Sequence, residues 1–210
     1  HGGGHKAPEA LCPPGREQKF HWNPGEIRVA VQAGTVGEHG LKGLGQQVAV
    51  GGRAVAELAQ AVAARWGKGG PDGATGGNTD TPFVICTGGE PLLQLDGALI
   101  EALHDAGFEV AVETNGTLAA PQGIDWLTVS PKTPASDSGL VQRSGDALKL
   151  IFPQPGIEPE DFTALDFPRF YLQPMDGPDR KRNTALVLDY CRSHPRWRVS
   201  LQTHKILGIA

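Results

Sequence analysis

The sequence predicts an α/β protein in which helices cover a mainly parallel sheet. Beyond residue 53, apolar strand-like runs alternate with helical patterns, and loops of glycine, proline and polar residues follow the strand-like runs. A chain of 210 residues with 39% hydrophobic and 20% charged residues is also typical of a globular protein with a sizeable core. These observations favour one α/β domain over residues 53–210.

The preceding segment, residues 1–52, has a different character. It is rich in glycine, proline and histidine and lacks the sustained hydrophobic period of a helix or strand, which is typical of a loop. Glu26 to Gly34 could form one short strand, but a strand without partners nearby is not stable alone. The stretch "HGGGH" lacks the rigid spacing of a zinc site, which argues against a metal-binding arm.

The regular elements begin with a helix at Arg53 to Trp66, in which Val55, Leu58, Val62 and Trp66 share one face. A glycine-rich loop follows it. Strands are then predicted at Phe83 to Cys86, Phe108 to Val112, Trp126 to Val129, Leu148 to Phe152, Phe170 to Leu172 and Val199 to Gln202. Helices are predicted between some of them, at Leu92 to Ala106, Pro159 to Leu165 and Asn183 to Ser193. The link "TPASDSGLVQRSGD" is too short and too polar for a covering helix.

The strand ends carry the groups that could bind a ligand. In chain order, the strands are followed by "TGGEP", "ETNGT", "SPKT", "PQPG", "QPMDGP" and "THK". The carboxyl ends of parallel strands meet at one edge, which is the ligand face of α/β proteins. A strand also needs turn residues simply in order to end. Six corners with hydrogen-bonding groups nevertheless favour a binding site.

The corner "TGGEP" suits a charged nitrogen. Gly88 and Gly89 allow positive φ angles and a close approach of the backbone, so bare peptide groups can face a ligand. Glu90 stands beside them, and carbonyl oxygens with a carboxylate make a receptor for an ammonium group. A phosphate site would instead need N–H groups and lysine. Pro91 ends the strand and favours a helix start at Leu92.

Charge and cysteine usage narrow the function further. A formal charge of −4 gives no reason to expect a nucleic-acid partner. No apolar stretch approaches the roughly 18 residues of a membrane span, and the first residues do not resemble a signal peptide. The sequence therefore predicts a cytoplasmic protein with a small-molecule substrate. Cys12, Cys86 and Cys191 show no CxxC spacing, and we expect Cys86 and Cys191 to be buried core thiols.

The strand ends also carry a family resemblance. Together, "CTGGEP", "VETNGT", "DWLTVSPK", "LKLIF", "FYLQPMDGP" and "WRVSLQTHK" resemble 7-carboxy-7-deazaguanine synthases of the radical S-adenosylmethionine (SAM) superfamily. In that superfamily the GGEP motif binds the amino group of the cofactor. The resemblance runs from about Arg53 to Ala210. It implies a partial, incomplete parallel β/α barrel with fewer helices than the standard radical SAM core.

The resemblance implies a reaction and its cofactors. Such enzymes convert 6-carboxy-5,6,7,8-tetrahydropterin to 7-carboxy-7-deazaguanine with loss of ammonia, a carbon–nitrogen lyase reaction of queuosine biosynthesis. They use SAM, a [4Fe-4S] cluster that reduces it and Mg2+ near the substrate, while the protein positions and shields these groups. An electron donor such as flavodoxin and a homodimer are implied as well.

The resemblance also assigns roles to residues at the strand ends. The residues that would hold SAM are Gly88, Gly89, Glu90, Ser130, Pro131, Lys132, Gln173, Pro174, Met175 and Asp176. Thr87 would face the pterin, and the terminal carboxylate of Ala210 would bond the donor-rich edge of the pterin. His204 is either a structural residue or a substrate contact. No catalytic side chain and no metal ligand are assigned.

Residues 1–52 depart from the family pattern. Family members bind the cluster through three cysteines, usually spaced CxxxCxxC, and this chain has neither that motif nor a "QGEG"-like substrate segment. Histidines do not readily replace thiolates as ligands of a low-potential iron-sulfur cluster. Met175 is the only methionine, so we expect a processed, truncated or mistranslated beginning. Two alternatives would explain the departure. One is an altered reading frame or a wrong gene start upstream of about Gly52, and the other is a diverged, inactive paralogue. A non-catalytic SAM- or pterin-binding domain is therefore the alternative function.

Overall fold

The computed structural model of the chain describes residues 27–32, 46–50, 55–66 and 82–203. The strands in these ranges are β1 (Ile27–Gln32), β2 (Gln46–Val50), β3 (Phe83–Gly88), β4 (Glu109–Thr114), β5 (Trp126–Val129), β6 (Ala147–Phe152), β7 (Phe170–Pro174) and β8 (Trp197–Val199). The α-helices are α1 (Val55–Trp66), α2 (Gly97–Asp105) and α3 (Arg180–Ser193). Two short 3-10 helices, Pro91–Leu93 and Pro159–Phe162, complete the set.

Within the described ranges, the strands form one open sheet in the order β2-β1-β3-β4-β5-β6-β7-β8. The six strands from β3 to β8 are parallel, whereas β1 runs antiparallel to both β2 and β3. The predicted α/β class with an incomplete parallel barrel is therefore confirmed. Parallel strands place all their carboxyl ends at one edge, which is where the predicted corners follow.

Strands β1 and β2 differ from the prediction for the first part of the chain. Ile27–Gln32 falls inside the stretch for which one unstable strand was expected, and it pairs along its whole length with β3. The backbone groups of a strand edge need partners, and β3 supplies them from a distant part of the sequence. β1 runs antiparallel to β3, and the alternating β/α pattern of the sequence could not indicate this direction.

Most of the predicted helices are shorter in the structure, whereas α3 begins three residues before the expected Asn183. The expected helix over Leu92 to Ala106 is divided into a 3-10 turn and α2, because the side chain of Asp96 caps a new helix by accepting from the amide of Leu99 at 2.9 Å. The expected helix from Pro159 to Leu165 is the 3-10 turn Pro159–Phe162 alone. There the hydroxyl of Thr163 donates to the carbonyl of Glu160 at 2.7 Å, which competes with helical bonding.

The last strand lies earlier than predicted. It covers Trp197–Val199 and pairs with β7, whereas Val199 to Gln202 was expected. Trp197 decides this register because its buried ring packs edge-on against Phe170 at 5.2 Å. The strand ends at Val199, although the amide of Ser200 still donates to the carbonyl of Leu172 on β7 at 2.8 Å.

The helices cover one face of the sheet, and the main core lies between them and the strands. Fully buried residues from both layers fill it, among them Val62, Leu103, Val112, Leu148 and Leu172. None of the helices in the described part of the chain is both long and apolar enough to span a bilayer.

Candidate functional site

A cavity with a volume of about 410 Å³ lies at the carboxyl edge of the parallel strands. This size falls within the roughly 300 to 1,000 Å³ of small-molecule sites. Six of the residues predicted from the sequence line it: Thr87, Gly88, Gly89, Ser130, Lys132 and Gln173. Residues from three separate strand ends therefore meet around one space, as the parallel arrangement predicts.

The alternation of side chains along each strand decides which residues face this cavity. Glu113 on β4, Lys149 on β6 and Tyr171 on β7 line it, whereas their neighbours Val112 and Leu148 belong to the main core. A second, smaller apolar cluster lies on the cavity side of the sheet. Its buried members are Phe83, Ile85, Ala111, Trp126 and Ala147. The cavity thus has an apolar floor and polar groups nearer the strand ends.

Five predicted cofactor residues do not line the cavity. They are Glu90, Pro131, Pro174, Met175 and Asp176. The backbone of Met175 bonds to its neighbours instead, since its amide donates to the carbonyl of Phe152 at 2.8 Å and its carbonyl accepts from the side chain of Asn183 at 3.0 Å. Ala210 and His204 lie outside the described residues, so their predicted roles stay predictions.

The GGE corner, defined as Gly88, Gly89 and Glu90, has the backbone freedom expected from its glycines. Gly88 ends β3 with a φ of 137°, a value that side-chain-bearing residues rarely adopt. Both glycines are exposed and line the cavity. Their peptide groups can therefore be approached closely by a ligand.

The carboxylate of Glu90 is held by three donors of the chain itself. One oxygen accepts from the amide of Leu92 at 3.1 Å and from the hydroxyl of Thr114 at 2.7 Å. The other oxygen accepts from the amide of Asn115 at 2.7 Å. This bonding ties the GGE corner to the end of β4, and the role of Glu90 as an ammonium ligand stays a prediction.

Lys132 supplies a cation at the edge of the cavity. The side chain is exposed, but its ammonium group folds back onto buried Ser130 and donates to the carbonyl and hydroxyl oxygens there at 2.7 and 2.8 Å. Burial of the ammonium group lowers the pKa of Lys132, and the charge of Lys149 lowers it further. Glu113 and Glu90 act in the opposite direction. An anionic ligand group would find a preorganised donor here.

The sequence prediction missed the ion pair inside the cavity. The ammonium group of Lys149 lies 2.7 Å from a carboxylate oxygen of Glu113, and both residues line the cavity. A single lysine inside the apolar strand "ALKLIF" was the available signal, because a charged residue in a buried strand needs a partner or a ligand. Thr128, Tyr171 and Gln202 also line the cavity without having been predicted.

The cysteines that the structure describes are not arranged as metal ligands. Cys86 is buried, as predicted, and burial raises the pKa of its thiol to about 12. Cys191 was predicted to be buried but is only partly so, because it lies at the margin of the core on α3; burial raises its pKa as well. Cys12 lies outside the described residues. Among the described residues, no cluster of three or more His, Cys, Asp or Glu side chains could hold a metal ion.

Comparisons with known proteins agree with the geometry. Over 153 residues the chain is 60% identical to the 7-carboxy-7-deazaguanine synthase of Caulobacter vibrioides, which covers 73% of the chain and 67% of the relative. Over 168 residues it is 54% identical to the synthase of the same name from Bradyrhizobium diazoefficiens, covering 79% and 74%. The synthase of Bordetella pertussis is 53% identical over 154 residues, with coverages of 73% and 68%.

Two further comparisons add little to these relatives. No model of a protein family matches the chain. A crystal structure of QueE from Escherichia coli aligns with a TM-score of 0.47 at 24% identity, covering 75% of this chain and 65% of that one. At identities of 53 to 60% with three synthases, each matched over two thirds or more of its length, the chain belongs to the 7-carboxy-7-deazaguanine synthase family.

Proposed function

We propose that the cavity at the carboxyl edge is the active site of a 7-carboxy-7-deazaguanine synthase of queuosine biosynthesis. It would take SAM and 6-carboxy-5,6,7,8-tetrahydropterin, and the pterin would lose ammonia in a carbon–nitrogen lyase reaction. The observation that carries this proposal is that the cavity is lined by Thr87, Gly88, Gly89, Ser130, Lys132 and Gln173. The family resemblance assigns each of these six residues to the cofactor or the substrate.

The chemistry of the cavity wall fits an amino acid group such as the methionine end of SAM. Exposed peptide groups at Gly88 and Gly89 would accept from the ammonium group, and the charge of Glu90 lies close behind them. The ammonium group of Lys132, held on Ser130, would donate to the carboxylate. Gln173 would then lie on the side of the adenine, with Pro174, Met175 and Asp176 following it.

The pterin would occupy the remaining part of the cavity. A pterin offers ring N–H donors, and this substrate also carries a carboxylate. Glu113 can accept from N–H donors, while Lys149 can donate to a carboxylate, so their ion pair offers both complements at one place. Thr87 would add a hydroxyl, and the terminal carboxylate of Ala210 would add a second acceptor for ring N–H groups.

The cysteines of this sequence do not fit a [4Fe-4S] cluster. When it is bound, such a cluster supplies the electron that cleaves SAM, and it needs three thiolates close together. The sequence has three cysteines in all, of which Cys86 is buried in a strand with a raised pKa and Cys191 lies on α3. In the part of the chain that the structure describes, no group of three or more His, Cys, Asp or Glu side chains could hold a metal ion.

This misfit favours a second candidate function, a SAM- or pterin-binding domain that does not itself perform radical chemistry. The two candidates predict the same ligand pocket and differ only in turnover. A cytoplasmic location, a homodimer and an electron donor such as flavodoxin belong to the first candidate and are part of the proposal. Neither candidate requires a nucleic-acid or membrane partner.

The test compares this chain with a chimera in which residues 1–52 are replaced by the matching N-terminal part of the Caulobacter relative. Both proteins are reconstituted anaerobically with iron and sulfide, and 5′-deoxyadenosine and 7-carboxy-7-deazaguanine are measured by mass spectrometry. A second chimera, with the grafted cysteines changed to serine, is the control for the graft itself.

We expect neither product from the chain alone or from the serine chimera, and both products from the cysteine chimera. Lys132→Met in the cysteine chimera should then lower turnover. A cysteine chimera that binds the cluster but yields no deazaguanine contradicts the first candidate and leaves the binding domain. Turnover by the unmodified chain contradicts the conclusion about its cysteines.

A further inference from the structure

Two neighbouring strand ends are joined through one carboxylate. Glu90 follows β3, and its carboxylate accepts from the hydroxyl of Thr114, the last residue of β4, and from the amide of Asn115 next to it, each at 2.7 Å. Thr114 is buried, and its oxygen also accepts from the amide of Gly116 at 3.0 Å. The single hydroxyl proton of Thr114 is therefore directed at Glu90.

From this network we infer that Thr114 is a positioning residue for the ammonium group of SAM. Thr114 lines the cavity, but its one hydroxyl proton is donated to Glu90, so it acts on the cofactor through that carboxylate. It holds the carboxylate of Glu90 against the end of β4, so that the peptide groups of Gly88 and Gly89 face the cavity and the negative charge stays behind them. The inference rests on the proposed function, since it deepens the assignment of the GGE corner to the cofactor's amino acid end.

The bonding of Glu90 explains why a positioning residue is needed. A carboxylate has about four lone-pair sites, and chain donors occupy three of them. Without the hydroxyl of Thr114, one oxygen keeps only the 3.1 Å bond from the amide of Leu92, and the amide of Asn115 alone holds the carboxylate at the end of β4, so the carboxylate can rotate about that single bond. The glycine peptide groups beside it have no side chains to fix them and would follow. The GGE corner would then lose its geometry, while the negative charge of Glu90 would remain.

A purely structural role for Thr114 predicts a different result. If the network only fastened β3 to β4, removing the hydroxyl would lower the thermal stability and weaken the binding of every ligand of the cavity to the same extent. A positioning role predicts instead a selective loss for ligands that carry the amino acid end. S-adenosylhomocysteine carries it, whereas 5′-methylthioadenosine has the same nucleoside and lacks it.

The experiment measures the affinity of both ligands by isothermal titration calorimetry for the wild-type chain, Thr114→Val and Thr114→Ser. Valine keeps the shape of threonine and removes the hydroxyl, whereas serine keeps the hydroxyl. Thr163→Val is the matched control, because the hydroxyl of Thr163 donates to the carbonyl of Glu160, a residue that does not line the cavity. The melting temperature of each variant is recorded alongside.

We expect Thr114→Val to weaken the binding of S-adenosylhomocysteine by about tenfold or more and to change the binding of 5′-methylthioadenosine by less than about threefold, because the charge-assisted bond to Glu90 is lost together with the bond from the amide of Gly116. Thr114→Ser and Thr163→Val should bind like the wild type. Equal loss for both ligands, or no loss for Thr114→Val, overturns the inference while the proposed function stands. A wild-type chain that binds neither ligand overturns the proposed function and the inference with it.

Discussion

Lys149 and Glu113 form an ion pair of 2.7 Å across an intervening strand, since they lie on β6 and β4 with β5 between them. The side chains of Lys149 and Glu113 are 16% and 30% exposed, so the ion pair is partly solvated. Each charge is held near the cavity by the other. A ligand with both donor and acceptor groups could replace these contacts one by one.

A double-mutant cycle at this pair should show positive coupling. Lys149→Met leaves the carboxylate of Glu113 without its cation, so this variant should be less stable than Lys149→Met/Glu113→Gln, in which the charge is removed as well. We expect a coupling free energy of about 0.5 to 3 kcal/mol. Urea unfolding of the four proteins measures it, and additive effects would show that the pair contributes nothing to stability.

The pH dependence of ligand binding should report on Lys132. Burial lowers the pKa of Lys132, so its ammonium group loses its proton at a lower pH than an ordinary lysine. A carboxylate bound beside it favours the charged form. Affinity for S-adenosylhomocysteine should therefore be full below the pKa of Lys132 in the free chain and should fall as the pH rises through it.

Lys132→Arg is the control for that titration, because arginine keeps its charge over the whole range. Calorimetry of both proteins at increasing pH separates Lys132 from the amino group of the ligand, whose titration is common to both. The loss at high pH should be greater for the wild type than for Lys132→Arg. Identical profiles would show that Lys132 does not contact the ligand.

Gly116 should tolerate substitution less well than Gly156. Both have positive φ angles, 83° and 74°. A Cβ at Gly116 would meet side-chain carbons of Leu140 and Val129 at 2.8 Å, whereas nothing lies within 4 Å at Gly156. Gly156→Ala should cost about 1 kcal/mol of backbone strain, and Gly116→Ala about 1 to 3 kcal/mol more. Thermal unfolding measures the difference, and equal losses would contradict the packing at Gly116.

Cys86 should be unreactive in the folded chain. With a pKa of about 12, its thiolate fraction at pH 8 is on the order of one in ten thousand, and the sulfur is buried. Iodoacetamide treatment followed by peptide mass spectrometry should leave Cys86 unmodified in buffer and modified in urea. Modification at equal rates in both would show that this strand is open and could offer a thiolate to a metal.

The sequence was sufficient for the parallel part of the sheet, because each of its strands is a buried apolar run that ends in a polar corner. Trp126–Val129 has the predicted bounds, and the other parallel strands except β8 differ by at most two residues at either end. Hydrophobic periodicity predicted the helix bounds wrongly where a local side-chain hydrogen bond competed with the helical bonding. The cap of Asp96 divided one helix, and the hydroxyl of Thr163 ended another.

The candidate site could be predicted only in part, for a related reason. Corner residues such as Gly88 and Ser130 are visible in sequence because turns need distinctive residue types. Glu113 and Lys149 lie inside strands, and their pairing depends on the sheet order β4-β5-β6, which no local pattern encodes. The bonding of Glu90 to Thr114 likewise joins residues that are 24 positions apart. Long-range pairings of this kind require the fold.

The most direct test of the proposed site is a crystal structure of the chain grown with saturating S-adenosylhomocysteine. We expect the amino group of the ligand against the peptide oxygens of Gly88 and Gly89, its carboxylate beside Lys132, and Glu90 still bonded to Thr114. A ligand bound elsewhere on the chain, or a cavity that stays empty at saturating concentration, would contradict the assignment of this cavity to the cofactor.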